Sequence, residues 1–142
     1  MIFLLKISEE SNLYHEWDLL RTSIRRKFNV SDTGNIVNLF PNRFRGSKLL
    51  IYNISLNSIL FAVLGNILGY NVIYVSHEPW KYWQEIKGSE KKNRLKYISL
   101  NFINIILFLV SSQIHVLSRE GYRRVSKFFL SKTNCSRILL EK

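Results

Sequence analysis

A histidine and a glutamate, His77 and Glu78, stand side by side after a β-branched and aromatic run, Val72 to Val75. They precede Pro79 and three aromatics, Trp80, Tyr82 and Trp83. A histidine in such a position is able to hydrogen-bond a sugar hydroxyl or act as a base near neutral pH. A turn histidine bonding backbone fits the same residues equally well. The aromatic trio suits a sugar face or a lipid headgroup layer, although burial in a core is the commonest fate of such side chains. Lys91, Lys92 and Arg94 then open a long helical pattern, where positive charge opposes the helix dipole. Helix stability gives no reason for them, so they point to an external anionic surface. The other histidines carry less. His115 lies in an apolar strand pattern and reads as a core residue, and His15 opens a helix as a solvated or capping residue. The three histidines share no metal-ligand spacing, and no Gly-rich phosphate loop follows a strand, so neither a metal site nor a dinucleotide cofactor is expected.

The elements that must position these groups are clearest between Lys48 and Pro79. A short apolar run (Leu49 to Tyr52) leads into a helical segment (Leu56 to Leu68) and a second apolar run (Val72 to Val75). Asn53 or Ser55 is placed to cap the helix, and Gly69 falls where a left-handed terminal residue is wanted. Strand, helix and strand with short connections make a βαβ unit, whose functional groups gather beyond the carboxyl ends of the strands. His77 and Glu78 follow such an end.

Around this unit the pattern continues. Met1 to Ile7 reads as a buried strand. Tyr14 to Phe28 reads as a helix, with Trp17, Leu20, Ile24 and Phe28 on one side and Arg21, Arg25 and Arg26 on the other. Ser31 to Gly34 is expected to turn, Asn35 to Phe40 to form a short strand, and Pro41 to Ser47 a basic loop. A long helix from Ser89 to about Val110 has Leu95, Ile98, Phe102, Ile105, Ile106 and Leu109 as its main stripe, although it is apolar almost all round. Gln113 to Leu117 follows as a strand. A helix from Ser118 to Leu130 then places Tyr122, Val125 and Phe129 inward and Arg123, Arg124 and Lys127 outward. The last expected strand is Arg137 to Leu140. This alternation predicts one α/β domain over 1–142, with a mostly parallel sheet and helices on both faces.

Composition sets the class of partner. The chain has 142 residues, with 21 Lys plus Arg against 10 Asp plus Glu, a net charge of +11. That excess favours nucleic acid, acidic lipid or phosphorylated substrates, and no nucleic-acid-binding motif accompanies it. The single cysteine, Cys135, rules out an internal disulfide and suits a reducing compartment. The MIFLLKISEE start is not expected to be a secretory signal. Two uncharged stretches, Leu49 to Ser76 and Tyr97 to Ile114, leave a two-pass membrane protein as a rival. The first, however, splits at Gly69, and Tyr97 to Val110 would span only about 21 Å as a helix, against a hydrocarbon core of roughly 30 Å.

The order LLIYN, apolar helix, GYNVIYVSHEP, long helix, SSQIHVLSREGYRRV and a closing strand resembles the N-terminal half of a GT-B glycosyltransferase. The likeness is to the retaining, family 4 or "group 1", type. There a strand ends in a histidine followed by an acid, matched by His77 and Glu78, and a later strand runs into a serine that opens a helix, matched by Ile114 to Ser118. The resemblance covers roughly Lys48 to Leu140 and implies a Rossmann-like acceptor-side domain in which His77 and Glu78 are the catalytic pair. It implies a nucleotide sugar as donor substrate, with no cofactor, and a lipid-linked or glycan acceptor met by Trp80, Tyr82, Trp83, Lys91, Lys92 and Arg94. A cytoplasmic setting on the inner face of an anionic membrane follows, with a partner chain to supply the C-terminal half. The departures are definite: the first strand runs into ISEESNLYHEW without glycine, and the carboxylates and basic clamp that family members place in their C-terminal domain have no counterpart here. A basic module that binds membrane or nucleic acid without catalysis is the reading from another class.

Overall fold

The computed structural model describes residues 2–5, 22, 26, 30–43, 45–52, 54–76, 91–116 and 119–135. They build a six-stranded sheet in the order β2-β1-β3-β4-β5-β6. The strands are β1 (Ile2–Leu5), β2 (Val30–Thr33), β3 (Lys48–Ile51), β4 (Asn71–Ser76), β5 (Gln113–Val116) and β6 (Thr133–Cys135). Every pairing is parallel. The helices are α1 (Leu56–Ile67), α2 (Lys91–Val110) and α3 (Arg119–Phe129), with short 3-10 turns at Ile36–Asn42 and Leu130–Lys132. The domain is thus α/β and Rossmann-like, and β3, β4 and β5 are neighbouring parallel strands.

The βαβ unit at the centre forms for the expected local reasons. Ser55 caps α1, its Oγ accepting the Ser58 amide at 3.1 Å, which satisfies one of the donors a helix start leaves unpaired. Gly69, at φ 78°, reverses the chain after α1. In that turn the Tyr70 amide donates to the Gly65 carbonyl at 2.9 Å and the Gly69 amide to the Asn66 carbonyl at 3.0 Å. The two-pass alternative fails here, because Leu49 to Ser76 is strand, helix and strand. No described helix is long and apolar enough to cross a membrane.

Side chains alternate across the sheet. Leu49, Ile51, Val72, Tyr74, Ile114 and Val116 point to the face that carries α1 and α2, where they form one core with Phe61, Ala62, Leu107, Phe108 and Val125. Leu50, Ile73 and Val75 point to the other face and are buried as well. Burial on both sides is what a parallel sheet requires. Thr22 and Arg26 are helical and lie between β1 and β2.

Three expectations need correction. The segment expected to turn at Ser31 to Gly34 is mostly strand β2, and the strand expected over Asn35 to Phe40 is a 3-10 turn. The cause is Asn35, whose Oδ1 accepts the Val37 amide at 3.0 Å and starts a helical turn, while Thr33 Oγ1 donates to the Asn35 carbonyl at 2.8 Å. Leu39 from that turn is fully buried in the core. A further strand forms at Thr133–Cys135, and the strand expected over Arg137 to Leu140 lies outside the described residues.

The third correction concerns α2. Its inward side carries Asn101, Asn104, Leu107 and Phe108, all buried, whereas Leu95, Ile98, Phe102, Ile105 and Leu109 of the expected main stripe are exposed. A helix apolar almost all round does not declare its inner face. Here the choice follows two polar anchors. Asn104 Oδ1 accepts the Tyr74 hydroxyl at 2.7 Å inside the core, and Asn66 of α1 donates to the Val110 carbonyl at the C-terminus of α2.

His115 is half-buried rather than enclosed. It lies on the second face of the sheet with Lys48, and its pKa is held below the ordinary 6.5, first by burial and then by the Lys48 charge. The folded chain therefore binds this proton less readily than the unfolded chain. Stability falls as pH drops below about 6.5, and the loss levels off only beneath the depressed folded value. Thermal melts between pH 7 and pH 5 are expected to show a smaller decline in Tm for His115→Gln than for the parent. Equal slopes would mean that other groups carry the pH dependence.

Candidate functional site

Because all strands are parallel, their carboxyl ends share one edge of the sheet, where groups in such folds converge. The chain leaves β1 toward β2 on one side, and β3 lies on its other side. The strand order therefore reverses between β1 and β3, which makes the crevice beyond their carboxyl ends the natural ligand position. Sequence patterning does not locate this reversal, since it shows strands but not their order.

Tyr52, directly after β3, stands at that crevice. It is 8% exposed, and burial pushes its phenol well above the ordinary value of 10.0. It is therefore neutral at physiological pH and able to donate a hydrogen bond. Next to β3, strand β4 ends at buried Ser76, and His77 is the following residue in the chain. The expected catalytic pair, His77 and Glu78, and the aromatics Trp80, Tyr82 and Trp83 lie outside the described residues. Of the expected basic face, Arg94 is exposed on α2. Lys91 and Lys92 contribute the backbone of its first turn.

Helix α2 returns the chain from the carboxyl edge to the start of β5, so its first turns stand beside that edge. Asn101 lies one turn nearer the edge than Asn104, about 4.5 Å along the helix. It is 2% exposed, and neither its Oδ1 nor its Nδ2 has a hydrogen-bond partner. A buried unsatisfied amide is uncommon enough to require a cause. The two asparagines, spaced three apart in an otherwise apolar run, were the available signal in the sequence. After β5, α3 begins at Arg119 on the same edge, with Glu120 in its first turn, where a carboxylate favours the helix dipole. Glu120 Oε1 accepts from Arg124 Nε at 2.7 Å, an exposed pair that adds little to stability.

The edge therefore presents a buried neutral phenol, a buried serine, an unsatisfied amide behind it and positive charge at the start of α2. These groups suit a polar, uncharged or anionic ligand. No protein-family model, curated protein or solved structure matches the chain.

Proposed function

We propose that this domain is the acceptor-side half of a GT-B glycosyltransferase of the retaining family 4 type. It acts on a lipid-linked or glycan acceptor at the cytoplasmic face of a membrane, with a nucleotide sugar as donor. The observation that supports this reading best is the parallel run β3-α1-β4-α2-β5-α3, which brings Tyr52, the residue before His77 and the basic start of α2 to one edge. In this reading His77 contacts the transferred sugar or its phosphate and Glu78 orients it. Trp80, Tyr82, Trp83, Lys91, Lys92 and Arg94 meet the acceptor. The second, donor-binding half comes from a C-terminal domain or a partner chain.

Retaining transfer needs stabilisation of the departing diphosphate as its charge develops, and that requires donors held in place across a closed cleft. An open half-site leaves water at the reacting centre and weakens each polar contact there. The 142-residue chain alone is therefore expected to give negligible nucleoside-diphosphate release with a panel of nucleotide sugars. Fusion to, or co-expression with, the donor-binding half of a family 4 transferase is expected to bring turnover, which His77→Ala then lowers by about a hundredfold or more. Robust His77-dependent turnover by the isolated chain would show that it carries its own donor site. Reconstituted turnover that ignores His77→Ala would remove that residue from the mechanism.

A further inference from the structure

Two neighbouring helices of this domain show water the side on which their apolar residues are most regular. On α1, Leu56, Leu60, Val63 and Ile67 are exposed, at spacings of four, three and four. On α2 the exposed stripe from Leu95 to Leu109 runs at spacings of three and four. The inner sides of both helices are already occupied, α1 by Phe61, Ala62 and Gly65, and α2 by Leu107 and Phe108 with the two asparagines. The outer stripes therefore contribute nothing to the core of this chain. The helices pack side by side on one face of the sheet, so the two stripes form a single surface. Contiguous apolar surface of this kind marks a contact with something else.

The charge pattern says what that contact is. Neither Lys48 to Ser76 nor Lys91 to Ser118 contains an acidic residue. The cations of the second segment are Lys91, Lys92, Arg94 and Lys96, all in the first turns of α2, and Arg94 and Lys96 are exposed there beside Leu95. A second copy of this chain would bring two bodies of charge +11 together, with no carboxylate on either helix to receive those cations. A bilayer with acidic headgroups meets both requirements at once: its acyl boundary takes the apolar stripes and its phosphates take the bases.

We propose that the α1–α2 layer lies flat on an anionic bilayer, with Leu60, Ile98, Phe102 and Ile105 in the acyl boundary and Arg94 and Lys96 at the headgroups. The carboxyl edge of the sheet then opens at the membrane surface beside the basic end of α2. This deepens the reading of a membrane-borne acceptor by naming the surface that meets lipid. It stands apart from sugar transfer, because vesicle binding needs no donor.

The test uses the full chain and vesicles of phosphatidylcholine with or without phosphatidylglycerol. Binding is expected only with phosphatidylglycerol and is weakened by salt, as screened attraction must be. Leu60→Gln, Ile98→Gln, Phe102→Gln and Ile105→Gln replace exposed side chains, so the combined variant should keep its circular dichroism spectrum and lose about a hundredfold or more in binding. Arg94→Glu with Lys96→Glu should lose about tenfold or more. An environment-sensitive dye on Phe102→Cys, in a Cys135→Ser background, should shift to the blue on vesicles and be quenched by nitroxide-labelled acyl chains. Unchanged binding by the four-residue variant, or no quenching at position 102, overturns the proposal. So does a dimer of the parent chain that the same variant dissolves while vesicle binding persists, since the face would then belong to a second copy. Vesicle binding without transfer by any reconstituted pair would sink the catalytic reading and leave this one standing.

Discussion

Gly65→Val is expected to destabilise the domain by about 3 kcal/mol, the upper end of what overpacking a tight core costs. Gly65 is where α1 comes closest to the sheet. A Cβ at this position would lie 2.8 Å from Leu49 Cδ2 and 3.2 Å from Val72 Cγ2. Neither neighbour has anywhere to go, as Leu49 and Val72 are both fully buried, in β3 and β4. Valine adds two further methyl groups to that space, so α1 must lift from the sheet, and Phe61 and Ala62 lift with it. Gly65→Ala is the informative companion. It adds the Cβ with its two close contacts but no further methyl groups, and gains about 1 kcal/mol of helix propensity, so a much smaller loss is expected. Chemical denaturation of both variants measures the difference, and equal stabilities would mean that α1 does not pack this closely.

The second large effect is a difference of sign between two asparagines one turn apart. Asn104→Leu removes the acceptor of the Tyr74 hydroxyl, which is buried with its ring against Phe108. Removing one partner of a buried hydrogen bond costs about 1–3 kcal/mol, because the other must bear its desolvation alone. Asn101→Leu does the reverse. Both amide atoms of Asn101 are buried without partners, so an apolar side chain of similar size relieves an existing penalty and should stabilise by about 1–2 kcal/mol. Thermal melts should therefore move in opposite directions. Tyr74→Phe combined with Asn104→Leu should recover most of the loss of the single change. If Asn101→Leu is instead destabilising, that amide has partners in the folded chain.

What was legible in the residues follows from where local and tertiary preferences agree. The unit from Lys48 to Ser76 was plain because Ser55 and Gly69 mark both ends of α1 and the β-branched runs on either side have no helical period. The register of α2 was not. Leucine, isoleucine and phenylalanine surround that helix, so its apolar period pointed to a stripe that turns out to face water. Its inner face was set instead by Asn104 meeting Tyr74, a contact between elements that spacing along one helix cannot show. The segment at Val30–Thr33 departs from its local pattern for a similar reason: Ser31, Asp32 and Gly34 favour turns, but β1 offers an edge to pair with, and the turn chemistry falls one step on, at Asn35. At the candidate site, the run ending at Ser76 was readable as the end of a strand. The crevice beside Tyr52 was not, because it exists only through the order in which strands lie side by side.

That order also fixes when the domain can take shape. Strand β1 has no free edge: Ile2 pairs with Val30 on one side and with Lys48 on the other. Each ladder joins residues far apart in the chain, and such pairings close slowly, because the intervening loop must lose its freedom before any contact rewards it. During synthesis β1 emerges before β2 and β3, yet it is complete only after β3 has followed it. A nascent chain that stops short of Ile51 carries β1 with at least one row of unpaired amides and carbonyls, which is the kind of edge that recruits other chains.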